Sequence, residues 1–471
     1  MYTFRIALCA ALLPVLVLCC LVVALPQAGP GDPLSTADAS GVLRTFTSTG
    51  TIDTTNPFFL PLGTNGRSCG TCHQPIDGWS ITPQHLQARF NASDGTDPVF
   101  RTVDGANSPL ADVSTTAARR NAYSMLLSKG VIRIGIGIPS GAEFTLAAVD
   151  DPYHYASAQE LSLFRRPLPS TNLRFLTAIM WDGRETVAPF VPPMDPGDTM
   201  EDLVNSLKQQ ASHATTGHAQ GVVPLTDAQQ QQIVAFEMGL STAQIYDKQA
   251  GFLNAFDALG GPRILANQEF YVGINDTLGA DPTGAVFNAS AMTLFSAWEN
   301  SGGGGDDGDR KHKEARLAIV RGQRLFNTKP IQLTGVGGLN DALNLPVIQG
   351  TCTTCHSSPN IGNHSVGLPL NIGLTDASRR TPDMPLYTLQ NSITGATVQT
   401  TDPGRALITG KWKDIGKFKG PILRGLAGRA PYFHNVSAAT LGDVLAFYDT
   451  RFNIGFTDQE KSDLVAFLRS L

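Results

Sequence analysis

The chain has 471 residues, enough for two domains that each bury a core. Its 40 acidic and 35 basic side chains leave a net charge of −5, which falls to about −6 without the N-terminal segment, whose only charge is Arg5. So mild an acidity offers nothing for a nucleic acid to bind, and the ordinary apolar content excludes a disordered or fibrous class.

In chain order, residues 1–28 read as a secretory signal. Arg5 supplies the positive end, Ile6 to Leu25 is apolar apart from Pro14, and Ala24 and Ala28 offer cleavage sites. The competing reading is a membrane anchor, because the apolar run is nearly long enough to span. Pro14 and the following Gly29-Pro30-Gly31-Asp32-Pro33 favour cleavage, so an exported, periplasmic or secreted chain with no stable membrane span is expected.

Ile132, Ile134, Ile136 and Ile138 alternate, a Pro139-Ser140-Gly141 turn follows, and Phe144, Leu146 and Ala148 alternate again. This pattern predicts a β-hairpin inserted in the N-terminal half. The rest of 80–120 and 150–200 is rich in Pro, Gly and Asp and is expected to be mostly loop. Thr226 to Gln229 is a capping box opening a helix through Leu240.

Residues 302–309, Gly-Gly-Gly-Gly-Asp-Asp-Gly-Asp, read as a linker. They divide the mature chain into an N-terminal domain, 29–301, and a C-terminal domain, 310–471. Leu317, Val320, Arg321 and Leu325 predict a helix over 310–327. Thr440 to Asp443 opens another, and Thr457 to Glu460 opens the last, striped by Leu464, Phe467, Leu468 and Leu471.

Three of the seven cysteines, Cys9, Cys19 and Cys20, fall in the signal. The other four complete two CxxCH motifs, Cys69-Gly-Thr-Cys72-His73 and Cys352-Thr-Thr-Cys355-His356. In CxxCH, the two thiols add across haem vinyl groups and the adjacent His becomes the proximal iron ligand. A zinc knuckle would want a second Cys or His pair near each motif, and a thioredoxin-type pair a βα junction. Neither context provides them, so two covalent haem c groups are expected, one per domain. His85, His154, His213, His218, His312, His364, His434, Met384 and the tyrosines are candidates for the sixth iron positions.

The motif order resembles the bacterial dihaem cytochrome c peroxidase/MauG family. Matching segments are Ser68–His73, Arg119-Arg120-Asn121, Met180-Trp-Asp-Gly-Arg184, Gln210-Ala211, Cys352–His356, Phe418-Lys-Gly-Pro-Ile-Leu-Arg424 and Pro431-Tyr-Phe-His434. The last is followed by Thr440-Leu441 and a helix ending in Phe447-Tyr448. The resemblance implies a mainly α fold of two cytochrome c-like domains with a Ca²⁺ ion between them. It assigns peroxide chemistry to the N-terminal haem and electron supply to the C-terminal one. It makes Trp181 the bridging indole, and makes Asn121 with the carbonyls of Arg429 and Pro431 the Ca²⁺ ligands.

Tyr448 stands fourteen residues after His434, where the family's peroxidases carry Met and its MauG-like members Tyr. Tyr448 is therefore the expected distal ligand of the C-terminal haem, with Met384 its rival. Helical spacing also puts it on one face with Leu441, Val444 and Leu445. The family's distal His is replaced by Val113, which implies an open N-terminal haem unless His85 serves. The family's acid, ten residues after Gln210, is replaced by Gln220. Gln210 can orient peroxide but not move its proton, and His218 is the expected substitute. Gln349, Gly350 and Thr351 precede Cys352, so the aromatic exit route of protein-oxidising MauG-like members is missing.

The expected function is an oxidoreductase consuming hydrogen peroxide. Its electrons would come from a small periplasmic cytochrome c or cupredoxin, or from another substrate. The alternative is a non-catalytic dihaem electron-transfer or redox-sensing protein.

Overall fold

The computed structural model describes residues 34–186, 196–305 and 309–471. The proposed signal and its three cysteines, and residues 306–308 of the Gly/Asp segment, lie outside the described residues. No helix among the described residues is long and apolar enough to cross a membrane.

The capping boxes work as helix starts. Thr226, Thr440 and Thr457 each accept a hydrogen bond from the main-chain N–H three residues on, opening helices Asp227–Met238, Leu441–Phe452 and Asp458–Arg469. The first stops two residues short of expectation. Gly239 caps it, and Leu240 begins a buried strand whose Thr242 is gripped by the Asn172 side chain at 2.8 and 2.9 Å. Helix Arg310–Thr328 crosses Asp458–Arg469 closely enough that a Cβ on Gly322 would lie 2.0 Å from the Asp463 carbonyl oxygen. A side chain there would force the pair apart.

Helix accounts for 33% and strand for 16%, so the expected mainly α chain is helix-led but mixed. Eleven strands among the described residues form four antiparallel sheets: β1 (Leu34–Ala37), β2 (Gly41–Thr47), β3 (Ile132–Ile136), β4 (Phe144–Asp150), β5 (Leu161–Arg165), β6 (Leu240–Asp247), β7 (Gly251–Phe252), β8 (Ile331–Thr334), β9 (Val347–Gly350), β10 (Leu386–Asn391) and β11 (Thr397–Thr400). The sheets run β1-β2-β6-β7, β3-β5, β11-β10-β4 and β8-β9.

The expected hairpin is corrected. β3 and β4 do not pair with each other: Ile134 faces Leu163 of β5, and Asn391 of β10 faces Phe144 of β4. Alternation reports which face of a strand is apolar, not which strand lies beside it. Here the two strands share a core, Phe144, Leu161, Leu163, Tyr387 and Leu389, but lie in different sheets. Tyr387 fastens the two sheets, donating to Ser162 O at 2.8 Å and accepting from Ser162 N at 2.9 Å. β4 thereby joins the N-terminal half to the C-terminal half.

The region expected as loop also holds helix Pro83–Ser93, started by Pro83 in its first turn, and β5. Ala250, Leu253, Met292, Phe295 and Trp298 pack in one core with Ile319, Phe326, Leu464 and Phe467. The chain just before the Gly/Asp segment thus contributes to the core of the C-terminal helices. Gly303 itself is buried, donating to Trp298 O at 2.7 Å and accepting from Arg316 at 3.2 Å.

Candidate haem sites

The two CxxCH motifs fold alike. Each begins with a short 3₁₀ turn, Cys69–Thr71 or Cys352–Thr354, in which the residue before the first Cys bonds a Thr hydroxyl at 2.9 Å. In each, the His main-chain N–H donates to the first Cys carbonyl at 3.0 Å. All four of these cysteines are free of disulfides.

The imidazoles are oriented alike too. His73 Nδ1 lies 3.1 Å from Trp79 O, and His356 Nδ1 lies 2.5 Å from Gly362 O. A carbonyl partner keeps the proton on Nδ1 and leaves Nε2 as a lone-pair donor, the arrangement an iron-ligating His requires. Burial pushes both rings down to about 4, so they stay neutral at physiological pH. Burial also pushes the Cys69, Cys352 and Cys355 thiols up to about 12.

One cavity of about 1620 Å³, counted to its open mouth, is lined by Cys69, Cys72, His73, Trp181, Gln210 and His218. Cys69 borders the cluster of Phe58, Trp79 and Ala211, while Cys72 borders that of Phe90, Phe100 and Tyr123, so the thiols sit between two cores. The wall also carries Arg166, Lys419 and Arg429. Arg429 Nη2 is buried without a hydrogen-bond partner, and burial lowers Lys419 to about 7. Two thiols, a neutral Nε2 donor and the unpartnered Arg429 Nη2, suited to a carboxylate, fit a covalently held haem.

His218 Nδ1 is bonded to Asp104 Oδ2 at 2.5 Å, and Arg67 Nη1 holds Asp104 Oδ1 at 2.6 Å. Burial alone would raise the Asp104 pKa, but Arg67 and His218 outweigh it and hold the carboxyl below the usual range. Glu237, also on the wall, is pushed up to about 7 by burial. Gln220 is exposed, with its side-chain oxygen accepting from Asn65 at 3.2 Å. Val113 packs against the Phe90–Tyr123 cluster. His85 is held by Asp77 at 2.5 Å and is not among the residues lining the cavity.

Trp181 donates its indole N–H to Arg166 O at 2.8 Å, and its ring centroid lies 6.0 Å from that of His434. His434 stacks on Phe418 at 4.0 Å. In the C-terminal half, Tyr448 packs with Cys352 and Cys355 against Ile331, Leu333, Val336 and Leu370. Burial, reinforced by the two cysteines, pushes its hydroxyl pKa up. Met384 packs elsewhere, with Met125, Val131 and Phe164. His213 pairs with Glu185 at 2.9 Å, and His312 pairs with Asp309.

One of the expected calcium ligands, the Pro431 carbonyl, is already engaged by a cation. The Pro431 carbonyl accepts a hydrogen bond from the Arg166 guanidinium, whose charge would oppose Ca²⁺ on the same oxygen. Asn121 lies exposed near the end of helix Thr116–Ala122, and its carbonyl accepts from Asn107 Nδ2 at 3.3 Å.

Arg67, Asp104 and Glu237 were not singled out from sequence. Glu237 carried a signal, an acid on the same helix face as Ile233 and Val234. Asp104 carried none, since it lies in a Gly/Asp-rich loop far along the chain from His218.

The geometry of the two CxxCH turns suits c-type haem. No family model matches the chain. It is similar to two cytochrome-c peroxidases of Denitromonas iodatirespirans: IdrP1, 33% identical over 136 residues, and IdrP2, 31% identical over 134. Each match covers 26% of this chain and 36% of the relative, so the chain spans about a third of the curated relatives it matches. IdrP2 of Pseudomonas sp. (strain SCT) is 31% identical over 131 residues, 26% of this chain and 35% of that protein. Over that segment the chain is related to the bacterial cytochrome-c peroxidases. A solved MauG-like protein associated with microbial copper homeostasis aligns over 95% of both chains at 15% identity and a TM-score of 0.33.

Proposed function

We propose that this chain is an exported dihaem oxidoreductase that reduces hydrogen peroxide at the His73 site, with electrons reaching it by way of Trp181 and the His356 site. One haem unit is built on 29–301 and one on 310–471, with Ala250, Leu253, Met292, Phe295 and Trp298 lent to the second core. The observation that carries the reading is the single cavity shared by His73, Gln210 and a His218 oriented by Asp104.

The haem supplies an iron that binds peroxide and passes electrons. The protein's part is to place groups around it. His73 offers a neutral Nε2, because its Nδ1 is committed to Trp79 O. Gln210, on the same cavity wall, is the group proposed to orient peroxide by hydrogen bonding. His218, with Nδ1 held by ionised Asp104, has Nε2 left to take a proton from one peroxide oxygen and return it to the other. Two electrons and two further protons then convert one peroxide to two waters. Trp181 is fixed by its bond to Arg166 O and lies on the wall between the cavity and His434. Tyr448 is the proposed ligand at the second site, where an anionic oxygen favours ferric iron over ferrous. A small periplasmic cytochrome c or cupredoxin is the proposed donor.

The test is a stopped-flow titration of the ferric holoprotein with peroxide. Rapid spectral change, slowed in His218→Gln, is expected. Two six-coordinate haems inert to peroxide would overturn the reading in favour of a non-catalytic electron carrier or redox sensor.

A further inference from the structure

We propose that the Arg166 side chain is the fixed cation of the seam between the two halves, standing where a divalent ion was expected, and that by anchoring this segment it holds the Arg166 main-chain carbonyl in place to receive the Trp181 indole N–H. The second clause rests on the relay role given to Trp181 above; the first does not.

Arg166 directly follows β5 and is 7% exposed. Its neighbour Arg165 takes the carboxylates, pairing with Asp182 and with Asp402. Arg166 is left with carbonyls. Nη1 donates to Pro431 O, and Nη2 donates to Ile81 O at 3.3 Å. Its main-chain N–H donates to His434 O at 2.7 Å, and its carbonyl accepts the Trp181 indole N–H at 2.8 Å.

One residue therefore joins three functional pieces. Ile81 lies two residues past Trp79, whose carbonyl holds His73. Pro431 and His434 bracket the Pro-Tyr-Phe-His motif, and Trp181 lies between that motif and the cavity. A carbonyl-gathering ion at a domain seam does the same geometric work, drawing oxygens from separate segments onto one positive charge. A guanidinium does it with directed hydrogen bonds, and it cannot dissociate. Burial lowers Arg166 to about 10, and the group remains a cation at neutral pH. With Arg429 close enough for the two guanidiniums to repel, a divalent ion has no favourable place on the Pro431 carbonyl.

The test has two arms on the holoprotein. In the first, calcium content and melting temperature are measured with added Ca²⁺ and with EDTA. No bound calcium and one melting temperature in both conditions are expected; stoichiometric calcium, or a melting temperature that rises with Ca²⁺, overturns the cation assignment. In the second, Arg166→Gln and Arg166→Lys are compared with the parent by ultraviolet resonance Raman of the indole N–H band and by flash-initiated electron exchange between the haems. Gln is expected to weaken the Trp181 hydrogen bond and slow exchange at least about tenfold. Lys, a cation without the bidentate fork, should fall between Gln and Arg. An unmoved Raman band and exchange rate in both variants overturn the positioning role. Should the Gln variant fail to fold, the Lys variant and the calcium arm still decide. A protein inert to peroxide would leave the calcium and Raman arms readable.

Discussion

Asp104 is shared between two donors on the cavity side of the N-terminal site: His218 Nδ1 at 2.5 Å and Arg67 Nη1 at 2.6 Å. The arrangement fixes the tautomer of His218 and keeps its orienting carboxylate ionised. General acid–base groups contribute about 10²–10⁴-fold, so His218→Gln should slow the reaction with peroxide by about that range while the resting haem spectrum is retained. Asp104→Asn keeps the size but loses the charge, and should slow the same step by about tenfold or more. Stopped-flow rates for both variants check this; unaltered rates would remove His218 from the mechanism.

Glu237 is a buried acid whose folded pKa, about 7, lies above its usual value of 4.5. The folded state therefore holds its proton where the unfolded chain has released it. Stability is expected to fall as pH rises from about 4.5 to about 7, by roughly 3 kcal/mol for this group alone. Glu237→Gln should flatten that limb in urea denaturation followed across pH. A limb of the same depth in the variant would assign the loss elsewhere.

Asp182 behaves in the opposite sense. Burial would raise its pKa, but Arg165 and Arg184 bring it down to about 2. Its contribution is fully present above about pH 4, the ordinary carboxylate value, and is lost as pH falls towards 2. Asp182→Ala leaves Arg165 with Asp402 as its remaining carboxylate, and should cost about 3 kcal/mol at neutral pH. Denaturant midpoints at pH 7 and pH 3 measure it: the gap between variant and parent should narrow at the lower pH.

Tyr448→Phe removes the proposed second-site ligand with little change in packing. The absorption and paramagnetic-resonance signals of the C-terminal haem should change, and those of the N-terminal haem should not. Burial opposes ionisation of this hydroxyl, and an iron held at the second site would supply the positive charge that favours the phenolate. Unchanged spectra would return Tyr448 to a packing role, beside Phe433, Phe447 and Phe452.

What the sequence determined by itself was local. CxxCH needs only five consecutive residues to shape its turn, and Thr226, Thr440 and Thr457 cap their helices with a side chain three residues away. The motif order also named Trp181 and Gln210, and the missing acid at Gln220 pointed to nearby His218; the folded chain brings all three to one cavity. Partners across long separations were decided only by tertiary structure. β3 and β4 alternate as hairpin strands do, yet β5 and β10 supplied their hydrogen bonds and shared core. Asp104 meets His218 across 114 residues of chain, and Arg166 reaches Pro431 across 265. Periodicity and capping are properties of a few neighbouring residues. Charge pairing in a buried seam depends on which segments the cores draw together, and here that put a guanidinium on the carbonyl where a calcium ion was expected.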